Sequence, residues 1–372
     1  MIKKFILYLF LVISFVPLKA FSEVQKSTGN PTSTKLSLLE YGDLGENFEA
    51  PYAQFIEKER LLIIGKKGNI LIYDIKNTKP ISLMHISTDV NNVTDVQTST
   101  LLNNGKVLIT GYTYKNIYSE KFVPFSVLFD PIDLKFKNTK EMKNPRRFYV
   151  ATLLPSGKVL ISGGKDFEKF ESKTLGSVEI FDPLTNDYSM ETGSITPRFG
   201  HHAVLDAKKQ NVYFFGGFTK VVSHVMEIEN LNLQSNKVEQ KGILKQPILL
   251  SNAYIVLPHN KIMFLLRQNK TLTYDFNTGT QNIDTGASCS NIKTDLEPFY
   301  TTGWISRNEA LIFASFSVIP FSGGCEVNLY QLEENRFHVE SKLPILETRV
   351  VIINQLEKTF VISGNKIFKV KH

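Results

Sequence analysis

The sequence predicts an all-β protein, a seven-bladed β-propeller of four-stranded antiparallel blades, with six blades as the alternative. The first observation behind this is a repeat. A short segment rich in Val, Ile, Leu and Phe recurs seven times, and five of the copies end in glycine. The copies end at residues 65, 111, 163, 216, 266, 315 and 364, at intervals of 46 to 53 residues. A period near fifty residues is typical of one propeller blade.

The second observation is the length and composition of these segments, which favour strands over helices. They are four to six residues long and rich in β-branched residues, whereas a helix needs ten or more residues. The clearest unit, residues 146–188, reads as four strands. They are Tyr149–Leu154, Val159–Ser162, Ser177–Phe181 and a fourth that begins near Tyr188.

The third observation is a turn signal after the third strand of each unit. An aromatic or aliphatic residue there precedes a polar one, and Asp and Asn side chains hydrogen-bond the local backbone of a turn. The pairs are Tyr73-Asp74, Phe129-Asp130, Phe181-Asp182, Leu231-Asn232, Tyr274-Asp275 and Tyr330-Gln331.

The chain is expected to divide into a signal peptide, a leader and one domain. Residues 1–20 combine Lys3 and Lys4 with the apolar run Phe5–Val16 and a small residue at the end, which is typical of a secretory signal. The apolar run is short for a membrane span, although an uncleaved anchor is the alternative. Residues 21–34 are rich in Ser, Thr, Asn and Pro and are expected to form a flexible leader. This organisation predicts a secreted or periplasmic protein with no membrane span after cleavage.

The remaining residues, 35–372, are expected to form a single propeller domain that the amino-terminal strand closes. The last repeat supplies only a second and a third strand after residue 358. An open blade exposes the unpaired backbone of a strand edge. The strand-like segment Lys35–Leu44 is therefore predicted to be the outer strand of the last blade, so that the two ends of the chain pair.

The charge of the chain does not indicate a nucleic-acid partner. The formal net charge is +7, and three of the 43 basic residues, Lys3, Lys4 and Lys19, belong to the predicted signal. The other 40 basic residues stand against 36 acidic ones, which leaves +4 spread along the chain. Nucleic-acid-binding proteins carry a clustered basic face instead.

The unit around residues 153–164, LLPSGKVLISGG, carries a resemblance to a known family. Together with Arg146 upstream and Phe181-Asp182-Pro183 downstream, it resembles the kelch repeat of exported bacterial propellers and of the central domain of galactose oxidase. The resemblance extends from about residue 48 to the carboxyl terminus. The diglycine itself occurs at Gly163-Gly164 and Gly216-Gly217, and the single Trp304 lies outside the fourth strands, where the family carries Trp.

The propeller arrangement predicts which face binds a partner. With the strands of a blade labelled a to d from the axis outward, the b–c loops and the d-to-a crossovers lie on one face. The b–c loops are predicted to be long at Gly111–Ser126, Lys165–Ser177 and Phe316–Glu326. Long loops on a rigid scaffold commonly carry binding residues, so a protein or glycan partner is expected on this face.

Candidate binding residues cluster where the innermost strands begin. They are Arg146, Arg147, Arg198, His201 and Arg349, with His202 and Asn252 nearby. Arg side chains offer paired donors to a carboxylate, for example that of an acidic sugar. The alternative is that each Arg hydrogen-bonds within the protein. Adjacent residues of a strand point to opposite faces, so His201 and His202 are not expected to share a metal ion.

The two cysteines, Cys289 and Cys325, are predicted to form a disulfide. One isolated pair in an exported protein favours a bridge, and both residues are expected on the b–c face. Closing the 36-residue loop between them corresponds to about 3–4 kcal/mol in the chain-entropy model. Two buried thiols are the alternative.

Motifs for catalysis are absent from the sequence: HExxH, GxSxG, CxxC and GxGxxG do not occur. No catalytic residue, metal ion or cofactor is therefore predicted. The expected function is that of a monomeric, non-catalytic binding module for a protein or glycan. The alternative is a carbohydrate-modifying enzyme, similar to sialic-acid epimerases or to galactose oxidase, with a site around Arg146, Arg198 and His201.

Overall fold

A computed structural model shows an all-β β-propeller with four-stranded antiparallel blades, and the predicted fold class is confirmed to that extent. The structure describes residues 37–44, 52–57, 59–65, 67–86, 93–115, 122–167, 172–206, 210–220, 223–249, 253–266, 270–284, 299–304, 309–317, 322–331, 336–343, 350–355, 358–363 and 366–371. No helix in these ranges has the length and apolarity to cross a bilayer.

The four-stranded sheets are numbered here by the position of their innermost strand in the chain. Sheet 1 contains β2 (Tyr52–Glu57), β3 (Arg60–Ile64), β4 (Asn69–Asp74) and β5 (Lys79–His85). Sheet 2 contains β6 (Val93–Leu101), β7 (Val107–Tyr114), β8 (Val123–Asp130) and β9 (Lys135–Asn138). Sheet 3 contains β10 (Val150–Leu153), β11 (Val159–Ser162), β12 (Ser177–Asp182) and β13 (Asp187–Ser194).

The middle of the chain adds one more four-stranded sheet and a small hairpin. Sheet 4 contains β14 (His202–Asp206), β15 (Asn211–Phe215), β18 (Glu227–Asn232) and β19 (Lys237–Ile243). Between its second and third strands lies a two-stranded hairpin of β16 (Phe218–Lys220) and β17 (Ser223–His224).

Three more four-stranded sheets lie in the last part of the described chain. Sheet 5 contains β20 (Tyr254–Leu257), β21 (Lys261–Leu266), β22 (Lys270–Asp275) and β23 (Gln281–Asp284). Sheet 6 contains β24 (Phe299–Trp304), β25 (Glu309–Ser317), β26 (Ser322–Gln331) and β27 (Arg336–Leu343). Sheet 7 contains β28 (Val350–Gln355), β29 (Lys358–Ser363), β30 (Lys366–Lys371) and β1 (Ser37–Asp43).

The two ends of the described chain pair in sheet 7, as the sequence predicts for Lys35–Leu44. β1 lies antiparallel to β30, with Ser37 opposite Lys371 and Leu39 opposite Lys369. An ion pair of 2.9 Å between Lys366 Nζ and Asp43 Oδ2 lies at the other end of this strand pair. Sheet 7 is therefore built from both ends of the described chain.

The sheets follow one another around an axis, because innermost strands of successive sheets contact each other. The contacting pairs are β2–β6, β6–β10, β10–β14, β20–β24, β24–β28 and β28–β2. Sheets 4 and 5 share an aromatic core, in which the rings of Phe215 and Phe264 lie 5.1 Å apart. The contact between β28 and β2 brings sheet 7 back to sheet 1.

In sheets 1–5 and 7, where the burial of the second strand is described, this strand is strongly apolar because both of its faces are covered. Alternate residues of a strand point to opposite faces. On β11, Leu160 packs in the core between sheets 3 and 4, whereas Val159 and Ile161 pack in the core between sheets 2 and 3. A continuous apolar run, rather than an alternating one, is therefore what the neighbouring sheets require of these strands.

Five of the six predicted turns after the third strands are present in the structure, and the turn after Tyr330-Gln331 lies outside the described residues. The Asp182 side chain accepts a hydrogen bond of 2.9 Å from the Leu184 amide, and Asp275 accepts one of 2.8 Å from the Asn277 amide. A lysine before the second strand also pairs with the turn carboxylate, as Lys158 does with Asp182 at 2.9 Å. This lysine hydrogen bond lowers the pKa of Asp182.

Two of the three predicted long loops are shorter than expected. β7 continues to Tyr114 and β8 begins at Val123, so strand replaces much of the predicted loop Gly111–Ser126. In sheet 6, β25 continues to Ser317 and β26 begins at Ser322 within the predicted loop Phe316–Glu326. In both places the two strands remain paired with each other beyond the predicted strand ends, as Tyr112 is with Pro124.

Replacing Leu44 should weaken the junction of the two chain ends. Leu44 is 2% exposed and packs in one cluster with residues of sheets 1 and 7. We expect Leu44→Ala to lower the free energy of unfolding in urea by about 2–5 kcal/mol, because it leaves a cavity. The control is Leu184→Ala, whose side chain is 91% exposed. Equal midpoints for the two variants would show that the junction contributes nothing.

Candidate functional site

Arg146, the first predicted binding residue, lies fully inside the protein. Its guanidinium donates to the carbonyl oxygens of Asn144, Gly163 and Ser177 at 2.8 to 3.0 Å. Nη2 forms a 2.5 Å ion pair with Glu179, and both side chains are 0% exposed. Desolvation by burial lowers the pKa of Arg146, and the Glu179 charge opposes this effect.

The Glu179 carboxylate ties the Arg146 network to the crossover that enters sheet 3. It accepts backbone hydrogen bonds from Lys143 at 2.8 Å and from Asn144 at 2.9 Å. Every charge and polar atom of the pair therefore has a partner, which a buried ion pair needs in order to be tolerated. The arrangement fixes the path of the crossover against strand β12.

Arg198 repeats this arrangement one sheet further along. Its guanidinium forms a buried ion pair with Glu229 and donates to the carbonyl oxygens of Gly216 and Glu227 at 3.2 Å each. Glu229 in turn accepts a hydrogen bond from the Thr196 amide at 3.1 Å. The side chain of Arg198 is 0% exposed. For Arg146 and Arg198, the geometry supports the structural role that the sequence left open.

His201 and His202 point in opposite directions, as expected for neighbours on a strand. His201 Nε2 shares a 2.9 Å hydrogen bond with Ser162 Oγ of sheet 3. His202 Nε2 instead lies 3.0 Å from the carbonyl oxygen of Leu249, near the ring of Tyr254 in sheet 5. Each histidine therefore contacts a different neighbouring sheet.

Burial holds His201 in its neutral form. Its side chain is 1% exposed, and its Nδ1 has no hydrogen-bond partner in the described part of the chain. Desolvation lowers the pKa of His201 well below 6.5, and the nearby charge of Arg198 acts in the same direction.

The diglycines bring strand ends into close contact with the next crossover. Gly163 and Gly164 have φ of 61° and 97°, a region that favours glycine. A Cβ atom on Gly163 would lie 2.4 Å from the Arg198 carbonyl oxygen. The Gly164 amide donates to that same oxygen at 2.8 Å. The diglycine that recurs in these two units thus serves the contact between neighbouring sheets.

Arg147 differs from its neighbour Arg146 because its side chain lies among aromatic rings at the b–c edge. Its guanidinium carbon is 5.4 Å from the ring centroids of Phe122 and of Phe148. Lys165 lies beside it, with Nζ 4.3 Å from the centroid of Phe199. Arg147 and Lys165 also exchange two backbone hydrogen bonds of 2.8 Å each.

These cations lie among two groups of contacting rings from sheets 2, 3 and 4. The Arg147 guanidinium contacts both groups, and we call them together the aromatic band. Its members are Tyr112, Tyr114, Phe122, Phe148, Phe167, Phe199, Phe218 and His224. Neighbouring centroids are 4.9 to 6.3 Å apart, a range typical of favourable aromatic contacts. Tyr112 is buried, His224 is exposed and the other members are half-buried.

Phe148 has a backbone conformation that is unusual for its side chain. Its φ is 57°, and the residue at the same place in the next repeat is Gly200, with φ of 60°. A bulky residue in this region is strained, at a cost of about 1–3 kcal/mol. The Phe148 amide is held by a 3.1 Å hydrogen bond to the Gln97 side chain. Strain of this kind is frequent where a side chain is held for binding.

A buried carboxylate supports the band from sheet 2. Asp95 accepts hydrogen bonds from Gln97 Nε2 at 2.8 Å and from the Tyr112 hydroxyl at 3.2 Å. Burial and the Asp95 charge raise the pKa of Tyr112. Tyr112 therefore stays protonated and acts as a donor to Asp95.

Sequence reasoning identified Arg147 but missed Lys165 and the aromatic rings. The signal was present in the repeat. Arg147 and Lys165 occupy the same backbone bridge in sheet 3 that Phe199 and Phe218 occupy in sheet 4. When the two units are aligned, Arg147 matches Phe199 and Lys165 matches Phe218. The cations of one unit and the rings of the other therefore lie at the same edge of their sheets.

Other predicted site residues lie beyond what the structure can place. Arg349, Asn252 and Cys289 are outside the described residues, and Cys325 lies on β26 without a described side chain. The disulfide therefore stays a prediction. Among the described residues, no group of three His, Cys, Asp or Glu side chains is arranged to hold a metal ion.

Comparison with known proteins adds no relative. No protein-family model matches the sequence, and no curated protein is significantly similar to it.

Replacing Arg146 should destabilise the fold strongly. We expect Arg146→Met to lower the free energy of unfolding by about 3–5 kcal/mol, because it leaves the Glu179 charge buried without its partner. The control is Lys140→Met, which removes an exposed ion pair with Asp187 and should cost less than about 1 kcal/mol. Chemical denaturation measures both, and similar losses would contradict the structural role of Arg146.

His201 should make stability depend on pH. Because its pKa is below 6.5 in the folded state, the unfolded chain binds a proton first as the pH falls. Stability from this group is thus complete above 6.5 and decreases below it, by up to about 1.4 kcal/mol per pH unit.

Urea denaturation between about pH 5 and 8 tests this linkage. His201→Gln should reduce the slope of stability against pH below neutrality. Ser162→Ala removes the hydrogen-bond partner of His201 but keeps the titrating ring, so it should lower stability and keep the slope. A His201→Gln slope that equals that of the unaltered protein would rule the linkage out.

Proposed function

We propose that this protein is an exported, non-catalytic binding module, and that the aromatic band is its contact surface for a glycan or protein. The observation that carries the proposal is the strained backbone of Phe148, with φ of 57° at a bulky residue. Glycine stands at the equivalent place in the next repeat, so the fold itself does not require Phe there. Binding gives a reason to keep a half-buried ring in a strained conformation.

The position of the band supports the same proposal. It lies at the ends of b strands and the beginnings of a strands, on the face that carries the b–c connections. Half-buried aromatic rings with cations among them are enriched at binding surfaces. In contrast, the Arg146 and Arg198 side chains are fully buried. This argues for binding at the band over a carbohydrate-modifying site around those residues.

The proposal also covers the type of propeller, its number of blades and the division of the chain. We infer a kelch-type ring in which each of the seven four-stranded sheets is a blade, formed by residues 35–372 after a signal peptide (1–20) and a leader (21–34). The contacts between successive inner strands, including β28 with β2, support this ring. The diglycines and the paired Arg–Glu networks of sheets 3 and 4 support the kelch type. The ring is proposed to act as a monomer.

Phe148→Gly separates the binding role of the ring from its role in folding. We expect the free energy of unfolding to change by less than about 1 kcal/mol, since relief of backbone strain offsets lost packing. Binding of a ligand found by screening glycans and peptides should weaken at least about tenfold, because a central aromatic contact is lost.

The control for Phe148→Gly is Phe136→Ala, which removes a ring 37% exposed on the outer strand β9. Biolayer interferometry measures the affinity and urea denaturation the stability. Equal affinity in Phe148→Gly and the unaltered protein would refute the band as the contact surface. Turnover of a carbohydrate in the same screen would favour the enzyme instead.

A further inference from the structure

We propose that the ligand of the aromatic band is an anionic glycan, and that Arg147 and Lys165 bind the carboxylate of a sugar acid. This inference rests on the proposed function, because it names the ligand class for the same surface. It is based on three observations. The two cations have no carboxylate partner among the described residues, the surrounding backbone is already hydrogen-bonded, and the rings present flat faces.

Arg147 and Lys165 lack a carboxylate partner within the described ranges, in contrast to five other cations of sheets 2, 3 and 4. Lys106 pairs with Asp130 at 3.1 Å, Lys158 with Asp182 at 2.9 Å and Lys140 with Asp187 at 2.7 Å. Arg146 and Arg198 are paired with buried glutamates. The two cations of the band instead contact aromatic rings.

The two charges are close enough to repel each other. Desolvation lowers the pKa of Lys165, the charge of Arg147 adds to this effect, and Asp166 opposes it. The Nε atom of Arg147 is buried and has no hydrogen-bond acceptor among the described residues. An anion placed between the two groups would relieve the repulsion and supply acceptors to the guanidinium, whose paired donors match a carboxylate.

The backbone around these cations is already hydrogen-bonded, which disfavours an extended peptide as the ligand. Arg147 pairs with Lys165, and Phe199 with Phe218, through two backbone bonds each. The Phe148 amide donates a hydrogen bond to the Gln97 side chain, and the Phe148 carbonyl oxygen accepts one from the Gly200 amide at 3.1 Å. A peptide that adds a strand needs free backbone donors and acceptors, which these residues do not offer.

The rings suit a saccharide because they present flat apolar faces beside the cations. Phe122 and Phe167 are stacked, with centroids 5.8 Å apart and an angle of 24° between the planes. One face of a pyranose ring consists of C–H groups that pack on such surfaces, while its carboxylate reaches a neighbouring cation. A sugar acid therefore satisfies both features of the band at once.

The test compares ligands that carry a carboxylate charge with matched ligands that do not. Oligomers of galacturonate, mannuronate and glucuronate are titrated onto the full-length exported protein, each beside its methyl ester, which removes the negative charge. We expect at least one free acid to bind about tenfold or more tightly than its ester, and increasing salt to weaken this preference. Ester and acid that bind equally, or a neutral glycan alone that binds, would overturn the inference.

Protein variants locate the charge effect. Arg147→Gln and Lys165→Gln should each weaken binding of the free acid about tenfold and leave binding of the ester unchanged. Lys158→Gln removes the same charge from the a–b turn at the opposite edge of sheet 3 and should have no effect. Equal losses in Lys158→Gln and Lys165→Gln would point to net charge alone and overturn the assignment.

The two proposals fail in different ways. If Phe148→Gly abolishes binding of a neutral glycan or a peptide while Arg147→Gln and Lys165→Gln do not, the band is the binding surface and the anionic ligand is wrong. If the free acids bind and no band variant changes the affinity, both proposals are wrong. If none of the acids binds, the anionic ligand is again wrong.

Discussion

The structure depends on one packing constraint: a sheet that is apolar on both faces needs a neighbour on each side. On β15, Tyr213 and Phe215 pack toward sheet 5, whereas Val212 and Phe214 pack toward sheet 3. A row of such sheets would leave one apolar face uncovered at each end. Arranging the sheets in a ring removes the problem, and the pairing of β1 with β30 places both ends of the described chain in the same sheet.

The polar groups at the edge of the ring follow from this constraint. Where a crossover passes from one sheet to the next, its backbone is buried and its amides and carbonyls need partners. Arg146 with Glu179 and Arg198 with Glu229 supply them in two successive sheets. A buried ion pair adds little net stability compared with apolar packing, so its main effect here is to fix the path of the chain.

The same chain geometry separates buried residues from residues of the surface proposed for binding. Arg146 lies inside, bonded to backbone carbonyls, and the next residue, Arg147, lies among half-buried rings at the edge. The residue after that, Phe148, has a positive φ that turns its ring into the band. Three consecutive residues thus connect the packing of sheet 3 to the surface proposed for binding.

The strands, the turns and the pairing of the ends of the described chain could be predicted from the amino-acid sequence, because period, β-branched composition and turn residues are local signals. The sequence also predicted that His201 and His202 point apart, since that follows from strand geometry alone. That Arg146 and Arg198 are internal while Arg147 is not could be seen only in the folded protein, because their glutamate partners lie more than thirty residues away along the chain. The aromatic band, too, required the fold, since its rings come from three sheets and meet only when those sheets pack side by side.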